Sequence, residues 1–359
     1  MQTGISLYPG LDNTLEQNME LLKKAKNYGI SRIFTSLHIP ETNQTLFKKE
    51  LRNLLLQAHI LQLDVVCDVS PQACTLLGLK KLDPIELQKI GITTIRCDYG
   101  FSIDKIALFS TIMQVQLNAS TLTHDTLTAL QAANADFSHM DALHNFYPRP
   151  YTGLSERYFC SQNNYLREKG ISVGAFIPSC SSSGRRGPLY EGLPTLEAHR
   201  NISVSLAARH LTALDTDSIF IGDSHPTDEE LSALTQTQKN VVVLKARLLS
   251  HDPFVRDFLS HSFTARQDPS RDAVRAQESR NLLHGHSIQP DATTILDKRL
   301  GDITIDNKDY KRYMGEVQII TTEQPSNERT NIAARIIPNE LFLIKYITPG
   351  RQFRFEFIR

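Results

Sequence analysis

Short runs of apolar and β-branched residues alternate with longer amphipathic segments over roughly the first 235 residues of the chain. The apolar runs are nearly continuous, as expected of parallel strands that are covered on both faces. The longer segments carry apolar residues at helical spacing, for example between Leu46 and Leu61. The runs predicted as strands are GISLYPG (4–10), RIFTSLHIPE (32–41), DVVCDVSP (64–71), TTIRCDYG (93–100), MQVQLNAS (113–120), DALHNF (141–146), SVGAFIPS (172–179) and SIFIGDSHP (218–226).

Capping signals between these runs predict where helices begin. A Thr three residues before a Gln or Glu is typical of a capping box, and Asp before Pro is typical of an N-cap. The first helix is expected to end near Tyr28, because Gly29 supplies a stop. The signals are Thr14 with Gln17, Asp83 with Pro84 and Glu86, and Thr227 with Glu230.

Eight strand–helix units of about 25–30 residues match a (β/α)8 barrel in number and length. The alternative is a doubly wound open sheet, which is expected to carry a Gly-rich phosphate-binding turn after an early strand. The segment GISLYPGLDN lacks the G-x-G-x-x-G spacing of such a turn. Residues 1–238 are therefore predicted to form a (β/α)8 TIM barrel.

The pattern changes after about Leu234, and residues 239–359 are predicted to form a smaller, mostly β domain. The polar segment Ser250–Pro290 shows little periodicity, although the spacing of Arg271 and Arg275 favours a plain amphipathic helical turn. The predicted strands are KNVVVLKARLL (239–249), DITID (302–306), GEVQIITTE (315–323), ARIIP (334–338), LFLIKYIT (341–348) and FRFEFIR (353–359).

Composition excludes several classes of partner. Lys plus Arg and Asp plus Glu number 39 each among 359 residues, so no net charge attracts the protein to nucleic acid or to a membrane surface. The N-terminus resembles no signal peptide, and no stretch approaches the ~20 apolar residues of a transmembrane helix. Five cysteines without paired spacing fit reduced thiols, so we expect a cytoplasmic protein. The sequence leaves the oligomeric state open.

In a β/α barrel the reacting groups lie at the carboxyl ends of the strands. Four carboxylates fall at such ends and are the candidate catalytic residues, for proton transfer or for stabilising an oxocarbenium ion. The alternative for each acid is an ion pair or a cap at a strand end. The four are Glu41, Asp68, Asp98 and Asp223.

The segment HNFYPRPYTGLS (144–155) is the most polar of the predicted loops, and its two prolines favour a rigid conformation. Arginine side chains suit phosphate or carboxylate groups, and the glycines around 184–192 suggest a loop that closes over a ligand. The candidate substrate-binding residues are His38, Asn118, His144, Asn145, Tyr147, Arg149, Arg185, Arg186 and Glu191.

A metal site is the alternative use of such a group of side chains. However, His38, His144 and His225 follow different strands, and neither H-x-H nor H-E-x-x-H spacing occurs. We therefore predict neither a metal nor a cofactor.

The segments GISLYPGLDNT, RIFTSLHIPE, HNFYPRPYTGLS and IFIGDS together resemble the bacterial 6-phospho-N-acetylmuramidases of the MupG type. The resemblance runs through the whole chain and implies a TIM barrel followed by a cyclophilin-like β domain. It also implies hydrolysis, inside the cell, of N-acetylmuramic acid 6-phosphate–N-acetylglucosamine during peptidoglycan recycling. Position favours Asp98 and Glu41 as the working pair, with Asp68 and Asp223 as substitutes. Retention, inversion and participation of the substrate's 2-acetamido group all stay open.

Two other functions remain in view. A barrel phosphosugar lyase or aldolase is expected to use a Schiff-base lysine or a metal, and the eight predicted barrel strands contain no lysine. A non-catalytic phosphosugar-binding or surface interaction protein is the other alternative. Release of N-acetylglucosamine from the phosphorylated disaccharide separates hydrolysis from both.

Overall fold

The computed structural model describes residues 1–37, 39, 41–70, 74, 77–79 and 81–358. The chain forms two compact units, Met1–Leu211 with Thr216–Thr237, and Thr212–Asp215 with Gln238–Arg359. The larger unit contains a closed eight-stranded barrel, and the smaller one is built on a seven-stranded sheet. The predicted fold class, an α/β chain with a (β/α)8 barrel followed by a mostly β domain, is confirmed.

All eight barrel strands are parallel, each pairs with the next along the chain, and the last closes against the first. Most are shorter than predicted, so many of the polar residues that follow the apolar runs lie in loops at the carboxyl ends. The strands are β1 (Gln2–Ser6), β2 (Arg32–Ser36), β3 (Asp64–Val69), β4 (Thr94–Cys97), β5 (Gln114–Asn118), β6 (Met140–Leu143), β7 (Ser172–Ile177) and β8 (Ser218–Ile221).

Helices follow the barrel strands, and the predicted capping signals are confirmed. Thr14 and Thr227 each form a complete capping box, and Asp83 accepts from the backbone N–H groups of Ile85 and Glu86. Within the described ranges, no helix is both long enough and apolar enough to cross a lipid bilayer. The α-helices are Leu15–Asn27, Gln44–Ile60, Pro84–Lys89, Ile103–Ser110, His124–Ala132, Glu156–Glu168, Val204–Ala213 and Asp228–Thr235, and the 3-10 segments are Phe137–His139, Ser182–Gly184 and Glu197–His199.

Aromatic rings fill the barrel beneath its carboxyl-terminal mouth. The ring of Phe176 on β7 lies 5.1 Å from that of Phe34 on β2 and 5.7 Å from that of Phe220 on β8. Phe146, in the loop after β6, packs edge-on against Phe176 at 5.1 Å. A Cβ at Gly4 would collide with the ring of Phe220, so this position on β1 requires glycine. The mouth therefore has a close-packed aromatic floor.

The smaller unit has the strand order β10-β15-β9-β14-β12-β13-β11, in which only the β9–β15 pairing is parallel among the described pairs. Its strands are β9 (Val241–Leu248), β10 (Phe263–Thr264), β11 (Ala273–Arg275), β12 (Asp302–Asp306), β13 (Val317–Ile320), β14 (Thr330–Ile336) and β15 (Gln352–Ile358). One α-helix, Pro253–Leu259, and the 3-10 segments Ser279–Leu283, Ala292–Thr294, Lys308–Tyr313 and Pro338–Tyr346 complete the described elements.

Two predictions for this unit are wrong. Most of the apolar run LFLIKYIT (341–348), predicted as a strand, belongs to the 3-10 segment Pro338–Tyr346. A short apolar run has no period that separates strand from helix, and Pro338 at the first position favours a helical turn. Arg271 and Arg275 do not share a helical turn either, because Arg275 lies on β11 and pairs with Glu316, Nε to Oε1 at 2.7 Å.

Candidate active site

Asp98 follows β4 at the barrel mouth, and its side chain is 33% exposed. Its Oδ1 accepts a hydrogen bond from Asn118 Nδ2 at 2.6 Å, and its Oδ2 lies 3.9 Å from Arg96 Nη2. The Asn118 amide is itself oriented, because its Oδ1 accepts from the backbone N–H of Ser120 at 3.0 Å. The carboxylate of Asp98 is thus held in one orientation while part of it stays accessible.

Arg96 on β4 is buried inside the barrel and connects β4 to the end of β6. Its Nη1 donates to the carbonyl oxygen of Leu143 at 2.9 Å, and its Nη2 donates to Oδ1 of Asn145. The guanidinium carbon lies 6.0 Å from the centre of the Phe34 ring. Sequence reasoning missed Arg96, although a charged residue inside the apolar run TTIRC was a signal that it has an internal partner.

His144 is completely buried behind the mouth. Its Nε2 lies 2.8 Å from Asn163 Oδ1, and its Nδ1 lies 3.1 Å from Ser120 Oγ. Burial lowers the pKa of His144 to about 4, so the ring is neutral at pH 7. The hydrogen bonds assign the proton to Nε2, and the Ser120 hydroxyl then donates to Nδ1 while accepting the Asn145 N–H at 2.9 Å. His144 therefore helps to hold the backbone of Asn145 in place through the hydroxyl of Ser120.

Tyr147 lies on the same side of the mouth and is partly buried. Burial raises the pKa of Tyr147, and a hydrogen bond with Ser120 opposes that rise. The charges of Arg96 and Asp98 also act on its phenol. Hydrogen bonds, partly through Ser120, therefore connect four of the predicted site residues, Asp98, Asn118, His144 and Asn145, and Tyr147 follows in the same loop.

Arg200 fastens the loop after β6 to the segment that follows β7. It is 5% exposed, and it forms two hydrogen bonds with Glu197, Nε to Oε1 at 2.6 Å and Nη2 to Oε2 at 2.7 Å. Its Nη2 also donates to the carbonyl oxygens of Tyr147 at 3.0 Å and Arg149 at 3.2 Å. Sequence reasoning missed both Arg200 and Glu197, because the loop that they hold is reached through backbone groups about 50 residues away.

Asp223 after β8 is completely buried. Its Oδ2 accepts from the backbone N–H of Ser179 at 2.8 Å and of Leu193 at 3.3 Å, and its Oδ1 accepts from the N–H of Arg186 at 3.0 Å. Burial raises the pKa of Asp223, and these hydrogen bonds oppose the rise. In this structure the carboxylate holds the loop after β7 in place.

Asp12, which was not among the predicted site residues, also binds the loop after β7. Its Oδ2 accepts from the Gly187 N–H at 3.0 Å and from Ser224 Oγ at 3.3 Å. Its Oδ1 accepts from the Tyr190 hydroxyl at 3.3 Å. The segment around residues 186–190 is therefore tied to the loops after both β1 and β8.

Of the other predicted acids, Asp68 lies on β3 as the register partner of Arg96 on β4, and Glu41 lies in the loop after β2. Asp68 on β3 accepts a hydrogen bond from Ser36 Oγ at 3.1 Å and is partly buried. Glu41 is exposed in the loop after β2, and no hydrogen bond or ion pair joins its side chain to a described residue. His38, a predicted substrate-binding residue, lies outside the described residues.

The three predicted arginines differ in their surroundings. Arg149 is exposed, whereas the partly buried Arg185 donates to the carbonyl oxygens of Ser179 and Arg200. Arg186 is only 6% exposed, and its guanidinium lies over the ring of Tyr8. The remaining predicted binding residue, Glu191, is exposed. No three described His, Cys, Asp or Glu side chains group closely enough to hold a metal ion.

Eight parallel strands that carry an oriented carboxylate, amides and guanidinium groups at their carboxyl ends define a (β/α)8-barrel enzyme. The family model for the N-terminal part of 6-phospho-N-acetylmuramidase matches residues 3–236, and the model for its C-terminal part matches residues 242–356. The chain therefore belongs to the 6-phospho-N-acetylmuramidase family, and it is a glycosidase. The resemblance found in the sequence is confirmed.

Two solved structures are similar over nearly the whole chain. An uncharacterized B. cereus protein is 29% identical, with 99% of each chain covered and a TM-score of 0.86. A conserved protein of unknown function from Enterococcus faecalis is 33% identical, with 99% of this chain and 96% of that chain covered and a TM-score of 0.72. No curated protein matches the sequence significantly.

Proposed function

We propose that the protein hydrolyses the glycosidic bond of N-acetylmuramic acid 6-phosphate–N-acetylglucosamine, releasing N-acetylmuramic acid 6-phosphate and N-acetylglucosamine. Membership of the 6-phospho-N-acetylmuramidase family supports this substrate. The reaction would belong to peptidoglycan recycling, inside the cell, where a phosphorylated disaccharide is available. The C-terminal unit is proposed to be the cyclophilin-like domain that the sequence resemblance implied.

The observation that carries the proposal is the environment of Asp98. This carboxylate is partly exposed at the end of β4, accepts a hydrogen bond from Asn118 and lies 3.9 Å from Arg96. A carboxylate at this place is what a glycosidase needs for general acid–base catalysis, for nucleophilic attack or for orienting a 2-acetamido group. Asp98 is therefore the residue assigned to the reacting centre.

The neighbouring side chains suit a sugar ring. Asn145 accepts a hydrogen bond from Arg96, which lies 3.9 Å from Asp98, and Tyr147 follows in the same loop. Amide and phenol groups both donate to and accept from sugar hydroxyls. The aromatic side chain of Phe146 lies between these two residues in sequence and covers the floor of the mouth. Glu41 and Asp68 are the candidates for a second carboxylate, and Glu41 has the more exposed side chain.

The test measures release of N-acetylglucosamine from the phosphorylated disaccharide by the full-length protein and by Asp98→Asn. The variant keeps the size of the side chain and removes its charge, so we expect kcat to fall about 1,000-fold or more with little loss of stability. Asp64→Asn is the matched control, because Asp64 is an exposed acid at the opposite end of the barrel, and it should keep normal turnover.

Glu41→Gln and Asp68→Asn, measured in the same series, identify the second carboxylate by which of them also lowers kcat. Substrate binding without release of N-acetylglucosamine by the unaltered protein would favour the non-catalytic phosphosugar-binding alternative. Cleavage that yields an unsaturated sugar, with no water incorporated, would favour a lyase. Unchanged turnover of Asp98→Asn would remove Asp98 from the reacting centre.

A further inference from the structure

Arg186 carries a buried positive charge on the wall of the barrel mouth that lies across from Asp98. The residue is 6% exposed, and its guanidinium carbon lies 4.6 Å from the ring centre of Tyr8 and 5.2 Å from that of Phe146. Its Nε donates to the carbonyl oxygen of Gly187 at 3.1 Å. Its Nη1 is buried and has no hydrogen-bond partner among the described residues.

No carboxylate among the described residues lies within ion-pair distance of this guanidinium. The nearest candidates along the loop are already engaged, since Asp223 accepts three backbone N–H groups and Asp12 accepts from Gly187, Tyr190 and Ser224. Among the described contacts, Asp223 accepts from the backbone N–H of Arg186 and not from its guanidinium. The two aromatic faces attract the cation and the Tyr8 hydroxyl interacts with it, but both side chains are neutral and supply no countercharge.

Other buried arginines of the barrel unit have a carboxylate within 4 Å, which Arg186 lacks among the described residues. Arg32 pairs with Asp141, Nη1 to Oδ2 at 2.6 Å, and Arg200 pairs with Glu197 at 2.6 Å. Arg96 donates to Leu143 and Asn145 and lies 3.9 Å from Asp98. A buried charge is costly without a partner, so the absence of one at Arg186 points to an acceptor that arrives with the ligand.

The backbone on both sides of Arg186 is held in place before any ligand binds. Asp223 fixes the N–H of Arg186 at 3.0 Å, and Asp12 fixes the N–H of Gly187 at 3.0 Å. Added Cβ atoms at the flanking glycines would crowd their neighbours, since a Cβ at Gly187 would lie 2.9 Å from the hydroxyl of Tyr190. The backbone that carries the guanidinium is thus fixed, which lowers the entropic cost of binding an anion.

We propose that Arg186 is the anion anchor of the site, binding a phosphate or carboxylate group of the sugar through the unpaired edge of its guanidinium. This inference rests on the proposed function for the identity of the sugar. Asp98 follows β4 and Arg186 is held by Asp223 after β8, and these strands lie on opposite sides of a closed eight-stranded barrel. A ligand anchored at Arg186 therefore extends across the aromatic floor towards Asp98.

Two groups of the proposed substrate share this chemistry, the 6-phosphate and the lactyl carboxylate. The test measures binding of three monosaccharides by calorimetry, which requires no turnover. N-acetylglucosamine 6-phosphate carries only the phosphate, N-acetylmuramic acid carries only the lactyl carboxylate, and N-acetylmuramic acid 6-phosphate carries both. Each is titrated into the full-length protein and into Arg186→Gln, Arg186→Lys and Arg52→Gln.

We expect Arg186→Gln to weaken binding of N-acetylmuramic acid 6-phosphate about 10- to 100-fold, the loss typical of a charge-assisted hydrogen-bonded pair. Arg186→Lys should recover part of the affinity, because it keeps the charge and loses the planar fork. Arg52→Gln removes an exposed charge on the helix Gln44–Ile60 and should leave binding unchanged. The single-anion sugar that also loses affinity in Arg186→Gln identifies the group that is bound.

Equal affinities of Arg186→Gln and the unaltered protein for all three sugars would overturn the proposal, provided that circular dichroism shows the variant folded. If Arg186→Gln is not folded, Arg186→Lys decides instead, because unchanged affinity in that variant also overturns the requirement for a guanidinium fork. Failure of the proposed hydrolysis has a different signature. The monosaccharides would still bind in an Arg186-dependent manner while the disaccharide is not cleaved.

Discussion

Glu197 and Arg200 form a bidentate ion pair that holds the loop after β6, the most polar loop of the barrel mouth. The Arg200 Nε–Glu197 Oε1 and Arg200 Nη2–Glu197 Oε2 distances are 2.6 and 2.7 Å. The same carboxylate accepts the backbone N–H groups of Tyr151 at 2.9 Å and Gly153 at 2.8 Å. The guanidinium of Arg200 in turn donates to the carbonyl oxygens of Tyr147 and Arg149, which belong to the same loop as Tyr151 and Gly153. The pair thus substitutes for regular secondary structure in fixing this loop.

The first prediction concerns the pH dependence of this pair. Hydrogen bonds from Arg200, opposed by burial, lower the pKa of Glu197 from 4.5 to about 2. A folded-state pKa below the unfolded one means that the stabilisation is complete above about pH 4.5 and is lost as the pH falls towards 2. Glu197→Gln should therefore lower the free energy of unfolding by about 2 kcal/mol at pH 7.

Urea unfolding of Glu197→Gln and the unaltered protein at pH 7, 4 and 3 checks this prediction. The difference between the two proteins should shrink as the pH falls, because protonation removes the charge that the variant already lacks. A difference that stays constant from pH 7 to pH 3 would show that the charge of Glu197 contributes nothing to folding.

The second prediction concerns Gly153, which lies against Glu197. A Cβ added at Gly153 would lie 2.7 Å from the backbone nitrogen of Glu197 and 2.9 Å from its Cα. Backbone atoms cannot move aside as a side chain can, so Gly153→Ala should lower the free energy of unfolding by about 2–3 kcal/mol and lower turnover by displacing the loop.

Gly29→Ala is the control, because its Cβ would meet no heavy atom within 4 Å although its φ is +78°. It should cost about 1 kcal/mol with normal turnover. Thermal unfolding and kcat measure both effects, and a Gly153→Ala protein as stable as the unaltered one contradicts this packing.

Local signals in the sequence predicted much of the barrel. The capping boxes at Thr14 and Thr227 are complete in the structure, because each depends on residues only three positions apart. Asp98 and Asn118 were expected at neighbouring strand ends. The parallel pairing of β4 with β5 places Asn118 Nδ2 2.6 Å from Asp98 Oδ1. Such features follow from the order of the strands, which the alternation of apolar runs already indicates.

Residues that act through tertiary contacts escaped prediction. Arg96 looked like part of an apolar strand, yet its partners Leu143 and Asn145 are 47 and 49 residues away in the chain. Arg200 and Glu197 showed no motif, because they hold the distant loop through its backbone groups. Backbone groups are identical in every residue, so no side-chain pattern announces that they are bound.

The third prediction concerns Arg96. Arg96→Lys keeps the charge, but a lysine cannot reach both Leu143 and Asn145 with the geometry of the guanidinium fork. We expect kcat to fall about 10- to 100-fold through misplacement of Asn145 and Asp98, with a smaller change in KM. Arg32→Lys is the matched control. Arg32 is equally buried on β2, but its partner Asp141 lies near the amino-terminal end of β6.

Steady-state kinetics and thermal unfolding of both variants separate the two roles. Both proteins should lose stability, because each loses part of a buried hydrogen-bonded cation. Only Arg96→Lys should lose turnover when both are assayed well below their unfolding temperatures. Equal loss of turnover in the two variants would reduce Arg96 to a purely structural residue.

The fourth prediction concerns His144, which is buried between Ser120 and Asn163. Its pKa falls from 6.5 to about 4 because burial disfavours the charged ring. The folded protein then binds fewer protons than the unfolded chain between these values. The free energy that His144 contributes is therefore full above about pH 6.5 and falls by about 3 kcal/mol as the pH drops to 4. His144→Gln should show a shallower pH dependence of the free energy of unfolding over that range, measured in urea at half-unit steps of pH.

In the unaltered protein, the NMR resonances of the His144 ring should stay fixed from pH 8 to about pH 5, with the proton on Nε2. Resonances that move between pH 6 and pH 7 would mean that water reaches the ring, and that Ser120 does not hold Asn145 through a neutral histidine.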